Sequence, residues 1–360
     1  MTHITFILPG RGTKPVGGFK IIYEYANRLS ARGMRITLVH TAWLYKSHKL
    51  ASGIGRYIYC VLFYWLYKKW FTLSPAVNSK WVLTPSAPFI PDADFVFASS
   101  WETAEHVASL PSEKGIKMYL VQADESEYKL AKDNGWKERV LKTWNLPLQK
   151  IAVSSWLQQR IEETGSSAYR VFNGLDFKSF TVKVSIESRI EPVVMMLYHA
   201  STVKGWIEGL AALRLVHEEI PGLRVILFGV PGRPRILESW ITYYQLPPIE
   251  QLVELYNRSS IFLSPSHSEG WGLTVSEAMQ CGCAVVSSDI GGFKDFVHDR
   301  VTGLVFAVKN VSQIVSRVLE LIANPPLRIT LARNGNSLIQ QFTWERAVRD
   351  MSGVLTQLKP

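Results

Sequence analysis

Residues 261–292 read IFLSPSHSEGWGLTVSEAMQCGCAVVSSDIGG, and this stretch constrains the fold more than any other part of the sequence. Ile261–Leu263 is a short apolar run, which is typical of a buried parallel strand, and the polar residues around Pro265 end it. Apolar residues recur at helical spacing over Leu273–Met279, and Ala284–Ser287 has the composition of a second strand. The order strand, glycine loop, helix, strand predicts an α/β protein with a parallel sheet.

The glycine loop of this stretch is predicted to bind a ligand. In open parallel sheets, ligands bind where the carboxyl ends of the strands meet, and a helix that starts there points unpaired N–H groups at the ligand. Such a site suits a diphosphate. Glu269 lies at its rim, and Glu277 lies eight positions on, so a continuous helix would place both acids on roughly one face. Carboxylates there would accept hydrogen bonds from sugar hydroxyls.

Glu269 is followed by seven residues and then by the run EAMQCGCAVVSSDIGG, which begins at Glu277. This pattern resembles the paired-glutamate motif of retaining, nucleotide-sugar-dependent glycosyltransferases of family 4. The resemblance implies the GT-B architecture, in which two Rossmann-like domains face each other across a cleft. It also implies that Glu269 is catalytic and orients the donor sugar, and that Glu277 binds the ribose. Gly270, Trp271, Gly272 and Leu273 would hold the diphosphate through their amides.

A second glycine-rich loop lies near the amino terminus. Ile4–Leu8 is an apolar strand, PGRGTKPVGG follows, and Phe19–Ala31 has helical periodicity. This βαβ pattern has phosphate-binding character, but its glycines do not match the spacing G-x-G-x-x-G, which counts against a nicotinamide enzyme. Gly17 and Gly18 resemble the family's loop that approaches the donor diphosphate, with an ordinary strand–helix turn as the alternative.

Lys204 follows the strand predicted at Pro192–Leu197 and lies close to a helix start. An ammonium there would neutralise a leaving diphosphate, so Lys204 is the second predicted catalytic residue. The family usually has an arginine five residues earlier, where this chain has His199. A neutral imidazole cannot clamp a diphosphate as a guanidinium does. Either His199 is protonated beside the phosphates, or Lys204 and backbone amides suffice, or donor binding is weaker.

The domain boundaries and the acceptor residues follow from the order of the predicted strands. We expect an amino-terminal, acceptor-side Rossmann-like domain over residues 1–172, a carboxy-terminal donor domain over 173–342, and a final helix over 343–360 that returns to the first domain. Several predicted strands of the first domain end in polar residues. The candidates for acceptor contacts are Ser100, Glu102, Gln122 and Glu125, each with helix capping or solvation as the alternative.

Composition narrows the class of protein. Hydrophobic residues make up 47% and charged residues 19% of 360 residues, as expected of a globular chain of two domains. Three cysteines are too few for a disulfide framework, and no Cys or His cluster matches a metal site, so we expect neither a metal nor a cofactor. Residues 1–172 hold 22 Lys and Arg against 13 Asp and Glu. That half favours an anionic partner, but no nucleic-acid-binding motif is present.

Ile54–Phe71 reads IGRYIYCVLFYWLYKKWF and is apolar and aromatic with flanking cations. It is too short to span a bilayer and has the composition of a membrane-interface contact, with a helix packed on the first sheet as the alternative. No signal peptide is evident at the start of the sequence. We therefore expect a cytoplasmic protein that contacts the inner face of the cytoplasmic membrane peripherally.

Together these features predict a retaining hexosyltransferase that moves a sugar from a nucleotide-diphosphate donor to a hydroxyl of a glycan or lipid-linked acceptor, in the assembly of surface polysaccharide. The resemblance implies retention and independence from metal. Two alternatives stay open, a non-hydrolysing nucleotide-sugar epimerase and a catalytically silent sugar-nucleotide-binding protein. His199 in place of arginine keeps the latter open.

Overall fold

The structure is a computed structural model. It describes residues 1–10, 14–42, 44, 54–55, 57–58, 70–128, 135–234 and 237–359. The chain divides into two compact units, the first comprising residues 1–173 and 347–360 and the second residues 174–346.

The first unit is built on a parallel sheet of seven described strands. Their apolar side chains are almost fully buried in the central strands, which is why these runs lack the alternation of a half-exposed sheet. The strands are β1 (His3–Leu8), β2 (Arg35–Thr41), β3 (Asn78–Val82), β4 (Phe95–Ala98), β5 (Ile116–Val121), β6 (Gln149–Ala152) and β7 (Ala168–Arg170). The helices are α1 (Gly17–Ala31), α2 (Trp101–Ser109), α3 (Trp136–Thr143) and α4 (Ser155–Glu162).

The second unit has a parallel sheet of six described strands. These are β8 (Val193–Tyr198), β9 (Arg224–Gly229), β10 (Ile241–Gln245), β11 (Ile261–Ser264), β12 (Ala284–Ser288) and β13 (Gly303–Phe306). Its helices are α5 (Trp206–Glu219), α6 (Ile249–Arg258), α7 (Leu273–Gln280), α8 (Val311–Ala323) and α9 (Pro325–Ile339), and α10 (Trp344–Leu358) begins in this unit. Thr343 Oγ1 accepts from the N–H of Arg346 at 3.1 Å, so Thr343 caps α10 as the sequence predicts.

Both sheets have the doubly wound order. In the first unit the strand order is β3-β2-β1-β4-β5-β6-β7, and in the second it is β10-β9-β8-β11-β12-β13. The order therefore reverses between β1 and β4 in one sheet and between β8 and β11 in the other. A crevice opens at the carboxyl ends of the strands at such a switch point, so these two places are where each unit is expected to bind ligands. The predicted α/β class with two Rossmann-like halves is confirmed.

The end of the chain packs within the first unit. Lys359 Nζ lies 2.9 Å from Asp94 Oδ1, just before β4 begins. This hydrogen bond, together with one from the N–H of His3, holds the pKa of Asp94 below its usual value.

Candidate functional site

The switch point of the second unit brings together the two turns that carry the predicted catalytic residues. Strands β8 and β11 are neighbours, with Leu263 paired to Met196. The chain leaves β8 through a turn at Thr202–Lys204 and enters α5. It leaves β11 through the loop 265–272 and enters α7. Lys204 and Glu269, which are 65 residues apart in sequence, are thus placed at the same edge of one sheet.

Glycine makes the close approach of these turns possible. Gly205 has a φ of +63°, and a Cβ at this position would lie 1.8 Å from the carbonyl oxygen of Pro265. The carbonyl of Val203 accepts from the N–H of His267 at 2.7 Å. Any side chain at Gly205 would force the two turns apart, so this glycine fixes the spacing between Lys204 and the loop after β11.

Lys204 and Glu269 form an ion pair at this point. Lys204 Nζ lies 2.7 Å from Glu269 Oε1, and the two side chains are 22% and 14% exposed. Ser266 Oγ donates to the same carboxylate oxygen at 2.9 Å. The site therefore holds one cation and one anion, both partly withdrawn from water, where their interaction is stronger than on an open surface.

The start of α7 supplies the amides that the sequence predicts for a diphosphate. Gly272 precedes the helix with a φ of +94°, and a Cβ there would lie 2.3 Å from the ring of Phe293. A Cβ at Gly292 would lie 2.1 Å from the carbonyl oxygen of Glu269. The backbone of the loop is thus packed too tightly for side chains. The first N–H groups of a helix have no partner within it, and its dipole favours an anion there.

Trp271 contributes no indole group to this edge. Its side chain is 2% exposed and packs on the rings of Phe296 and Phe342, at centroid distances of 5.1 and 5.0 Å. The role predicted for Trp271 concerns its backbone amide alone, and the side chain instead anchors the loop in the core of the second unit.

The prediction that Glu269 and Glu277 share a helix face is wrong. Helix α7 begins at Leu273, so Glu269 lies in the loop before it. The reason is Gly272, whose left-handed conformation prevents the helix from continuing back to Glu269. Glu277 is 8% exposed, and its Oε2 accepts from the hydroxyl of Tyr256 at 3.4 Å. Its contact with a ribose stays a prediction.

The surroundings of His199 favour its neutral form. Burial and the neighbouring Lys204 ammonium lower its pKa, against an opposing effect of Glu269. The N–H of Ser201 donates to His199 Nδ1 at 3.0 Å, so Nδ1 carries no proton and Nε2 carries the only one. Of the alternatives open for this position, the structure favours a neutral N–H donor over a charged clamp.

The switch point of the first unit gathers several of its predicted residues. Gly17 and Gly18 are the first residues of α1, which begins two residues earlier than expected. A Cβ on Gly18 would lie 3.5 Å from Gln122 Nε2, so the amide of Gln122 lies against the start of this helix. Gln122 Nε2 also donates to the carbonyl of Ser99 at 3.5 Å. The start of α1 and the residues that follow β4 and β5 are therefore in contact through these groups.

Two carboxyl groups of this unit have raised pKa values. Burial, followed by the charge of Glu102, raises the pKa of Glu125 to about 8. Glu125 Oε2 accepts from the N–H of Trp101 at 2.8 Å and from the hydroxyl of Tyr119 at 3.3 Å. Burial likewise raises the pKa of Glu102. At neutral pH Glu125 is therefore mostly protonated and can donate as well as accept a hydrogen bond.

Ser100 has a local structural role. Its Oγ accepts from the N–H of Thr103, whose side chain accepts from the N–H of Ser100 in return, which is a capping box at the start of α2. Ser100 is 5% exposed. The structure favours helix capping, the alternative considered for this residue, and its contact with an acceptor stays a prediction.

Sequence reasoning missed several residues that hold the sites together. Ser266 and Ser201 fix Glu269 and His199, and Tyr119 donates to Glu125. A serine beside a predicted strand end is a weak signal, and nothing in the sequence marks Tyr119, which reads as one more residue of an apolar strand.

Within the described ranges, no group of three or more His, Cys, Asp or Glu residues could hold a metal ion. In the same part of the chain no helix has the length and apolar character that crossing a bilayer requires. Most of Ile54–Phe71, including Trp65, Lys68 and Lys69, lies outside the described residues. The membrane contact stays a prediction.

Comparison with known proteins identifies relatives of both the second unit and the whole fold. Residues 182–338 match the family model described as Glycosyl transferases group 1. The O-antigen chain mannosyltransferase B of Escherichia coli is 35% identical over 108 residues, which are 30% of this chain and 28% of that protein. A D-inositol 3-phosphate glycosyltransferase of Xylanimonas cellulosilytica is 26% identical over 209 residues, 51% of this chain and 50% of that protein. The chain thus spans half or less of these curated relatives.

Two solved structures resemble nearly the whole chain. Sucrose-phosphate synthase from Thermosynechococcus elongatus has a TM-score of 0.76 at 17% identity and covers 99% of both chains. Anabaena HepE in complex with UDP-glucose has a TM-score of 0.75 at 16% identity and covers 99% of this chain and 100% of that chain. At this identity the resemblance concerns the fold alone, and it confirms the GT-B class. The match to the group 1 glycosyl transferases thus lies in residues 182–338, which form most of the second unit.

Proposed function

We propose that this protein transfers a sugar from a nucleotide-diphosphate sugar to a hydroxyl group of a glycan or lipid-linked acceptor. The observation that carries the proposal is the pairing of Lys204 with Glu269 beside the start of α7, at the switch point of the second unit. An ammonium, helix N–H groups and a carboxylate are the groups that a diphosphate and a sugar require side by side.

The reaction breaks the bond between the anomeric carbon and the diphosphate, so negative charge develops on the leaving group. Lys204 is suited to stabilise that charge, since fixed donors lower a barrier most where charge develops. The amides of Gly270–Leu273 would act on the same oxygens. Glu269 would accept hydrogen bonds from the sugar hydroxyls and orient the anomeric carbon, and Glu277 would bind the ribose.

His199 would add a neutral hydrogen bond to the diphosphate through Nε2. This imidazole is held by Ser201 and by its neighbours in the uncharged state. It therefore contributes less to charge stabilisation than the arginine that the family resemblance implies at this position. In this chain the charge on the leaving diphosphate would therefore be stabilised mainly by Lys204.

The acceptor is proposed to bind the first unit near Gln122, Glu102 and Glu125. A protonated Glu125 beside Glu102 offers both a donor and acceptors, which suits the hydroxyl groups of a neutral sugar or polyol.

The family resemblance implies retention at the anomeric carbon. The membrane-interface composition of Ile54–Phe71 suggests a lipid-linked acceptor at the cytoplasmic membrane face.

The test is a screen of nucleotide sugars, including UDP-glucose and GDP-mannose, by thermal shift. A ligand that binds the folded state raises the melting temperature. The sugar that binds is then incubated with and without glycan and lipid acceptors. Transfer only in the presence of an acceptor, with the anomeric configuration of the donor kept in the product, is the expected result. Conversion of the donor alone would indicate an epimerase, and binding without turnover on any acceptor would indicate a silent binding protein.

A further inference from the structure

The two residues assigned to the donor are bound to each other. Lys204 Nζ and Glu269 Oε1 are 2.7 Å apart, so the cation meant for a diphosphate is already neutralised by the carboxylate meant for the sugar. A diphosphate that takes Lys204 must therefore compete with Glu269. This competition is a property of the folded chain and does not depend on which sugar is transferred.

Separating the pair is unfavourable unless both partners find new ones. The Glu269 side chain is 14% exposed, and among the described residues Ser266 Oγ is the other group that donates to Oε1. A carboxylate left in such a place without its cation loses more than the interaction itself, because it stays partly desolvated. His199 cannot replace Lys204, because it is uncharged and its Nδ1 already accepts from Ser201.

Among the described residues, no cation other than Lys204 forms an ion pair with Glu269. His267, in the same loop, lies instead against Glu208 of α5, with 3.3 Å between Nε2 and Oε1. Glu269 would thus depend on the ligand for a replacement partner. A sugar hydroxyl can donate to it, whereas a second phosphate oxygen cannot.

We propose that the Lys204–Glu269 pair selects the complete nucleotide sugar against the nucleoside diphosphate. The inference rests on the proposed function. A nucleotide sugar offers its diphosphate to Lys204 and its hydroxyls to Glu269, and so exchanges both partners of the pair. A nucleoside diphosphate offers a new partner to Lys204 but none to Glu269, which is left without a cation or a sugar hydroxyl. After transfer, the ion pair re-forms and favours release of the product nucleotide.

The experiment is calorimetric titration of the wild type and of Glu269→Gln with UDP and with UDP-glucose, and in parallel with GDP and GDP-mannose. Glutamine keeps the shape of the side chain and removes its charge. The wild type is expected to bind the nucleotide sugar about tenfold more tightly than the diphosphate, and Glu269→Gln to bind the diphosphate about tenfold more tightly than the wild type does. The preference for the nucleotide sugar is then lost.

A second variant tests the same proposal and is expected to weaken, rather than strengthen, binding of the nucleoside diphosphate. Ser266→Ala removes the remaining donor to Glu269 Oε1. Opening the pair then costs more, so the diphosphate is expected to bind about threefold more weakly. Glu320→Gln is the matched control. It neutralises an acid in α8 of the same unit, 2.9 Å from Arg300, and α8 carries none of the residues assigned to the site. Its nucleotide affinities are expected to equal those of the wild type.

The outcomes separate the two proposals. If both nucleotides bind and Glu269→Gln leaves the diphosphate affinity unchanged or lower, the selection by the ion pair is wrong and the proposed function is untouched. Weaker binding in Ser266→Ala with tighter binding in Glu269→Gln supports the selection. If no nucleotide sugar of the screen binds the wild type or either variant, the proposed function fails, and the selection fails with it.

Discussion

Both units carry polar side chains at the switch point of their sheet, but these side chains form an ion pair in the second unit and are carboxyl groups with raised pKa values in the first. In the second unit, at the switch between β8 and β11, Lys204 and Glu269 form an ion pair. In the first unit, at the switch between β1 and β4 and at the adjoining end of β5, burial raises the pKa values of Glu102 and Glu125. The same fold thus carries an ion pair at one edge and carboxyl groups with raised pKa values at the other.

The backbone differs between the two edges as well. Gly205, Gly272 and Gly292 leave no space for a Cβ, with contacts of 1.8 to 2.3 Å to backbone or ring atoms. A Cβ on Gly18 in the first unit would lie 3.5 Å from its nearest neighbour, which is an ordinary contact. The backbone of the second edge is therefore packed more closely than that of the first, and a site of the kind proposed above requires such fixed backbone groups.

Removing either charge of the pair should have the largest effect. Lys204→Ala and Glu269→Ala are each expected to lower turnover by about two orders of magnitude, comparable to the loss of one strong transition-state contact. Steady-state transfer assays at saturating acceptor measure this. Near wild-type turnover in both variants would remove the basis for treating this edge as the donor side.

A methyl group at Gly205 should break the second edge without changing any charge. Gly205→Ala combines a positive φ with a 1.8 Å approach to Pro265, and is expected to cost about 3 kcal/mol of unfolding free energy. Gly222→Ala is the control, because a Cβ there meets nothing within 4 Å. Denaturant unfolding of both variants decides, and equal stability would show that the two turns need no close approach.

The smallest effect concerns Glu125, the carboxyl group of the first unit that is mostly protonated at neutral pH. The folded-state pKa of Glu125, about 8, lies above the ordinary value of 4.5 for a glutamate, so the folded state binds the proton more tightly. That stabilisation is complete below pH 4.5 and is lost as the pH rises through about 8. Glu125→Gln stays neutral, so it should melt about 2–4 °C above the wild type at pH 9 and at the same temperature at pH 5.

Glu127→Gln, two residues away and exposed, is the control for that comparison. Thermal scans of both variants at the two pH values would suffice. An identical shift in the two variants, or a shift of Glu125→Gln that does not grow with pH, would mean that the first edge does not hold a protonated acid.

The sequence predicts the regular elements around the donor side closely, because each carries its own local signal. The helical periodicity over Leu273–Met279 matches α7, which spans Leu273–Gln280. Buried parallel strands are readable as apolar runs, which is why most of them were expected. Strands β3 and β10 were not expected, since residues such as Asn78, Lys80 and Gln245 give these edge strands no continuous apolar run.

The chemistry of the site was predictable only in part. Motif spacing identifies Glu269 and Lys204 separately, but their ion pair depends on the pairing of β8 with β11 and on Gly205, neither of which spacing reveals. Glu269 and Glu277 do not share one helix, because left-handed Gly272 precedes the helix and leaves Glu269 in the loop. The neutral form of His199 is favoured by burial, by the Lys204 ammonium and by a backbone N–H from Ser201, and no sequence pattern encodes these contacts.

The central claim is that the carboxyl edge of the second unit binds a nucleotide-diphosphate sugar through Lys204. Its most direct test is a titration of the wild type and of Lys204→Ala with the nucleotide sugar that gives the largest thermal shift. We predict saturable binding of one donor per wild-type chain and at least tenfold weaker binding by the folded Lys204→Ala variant. Equal affinities in the two proteins would contradict the claim.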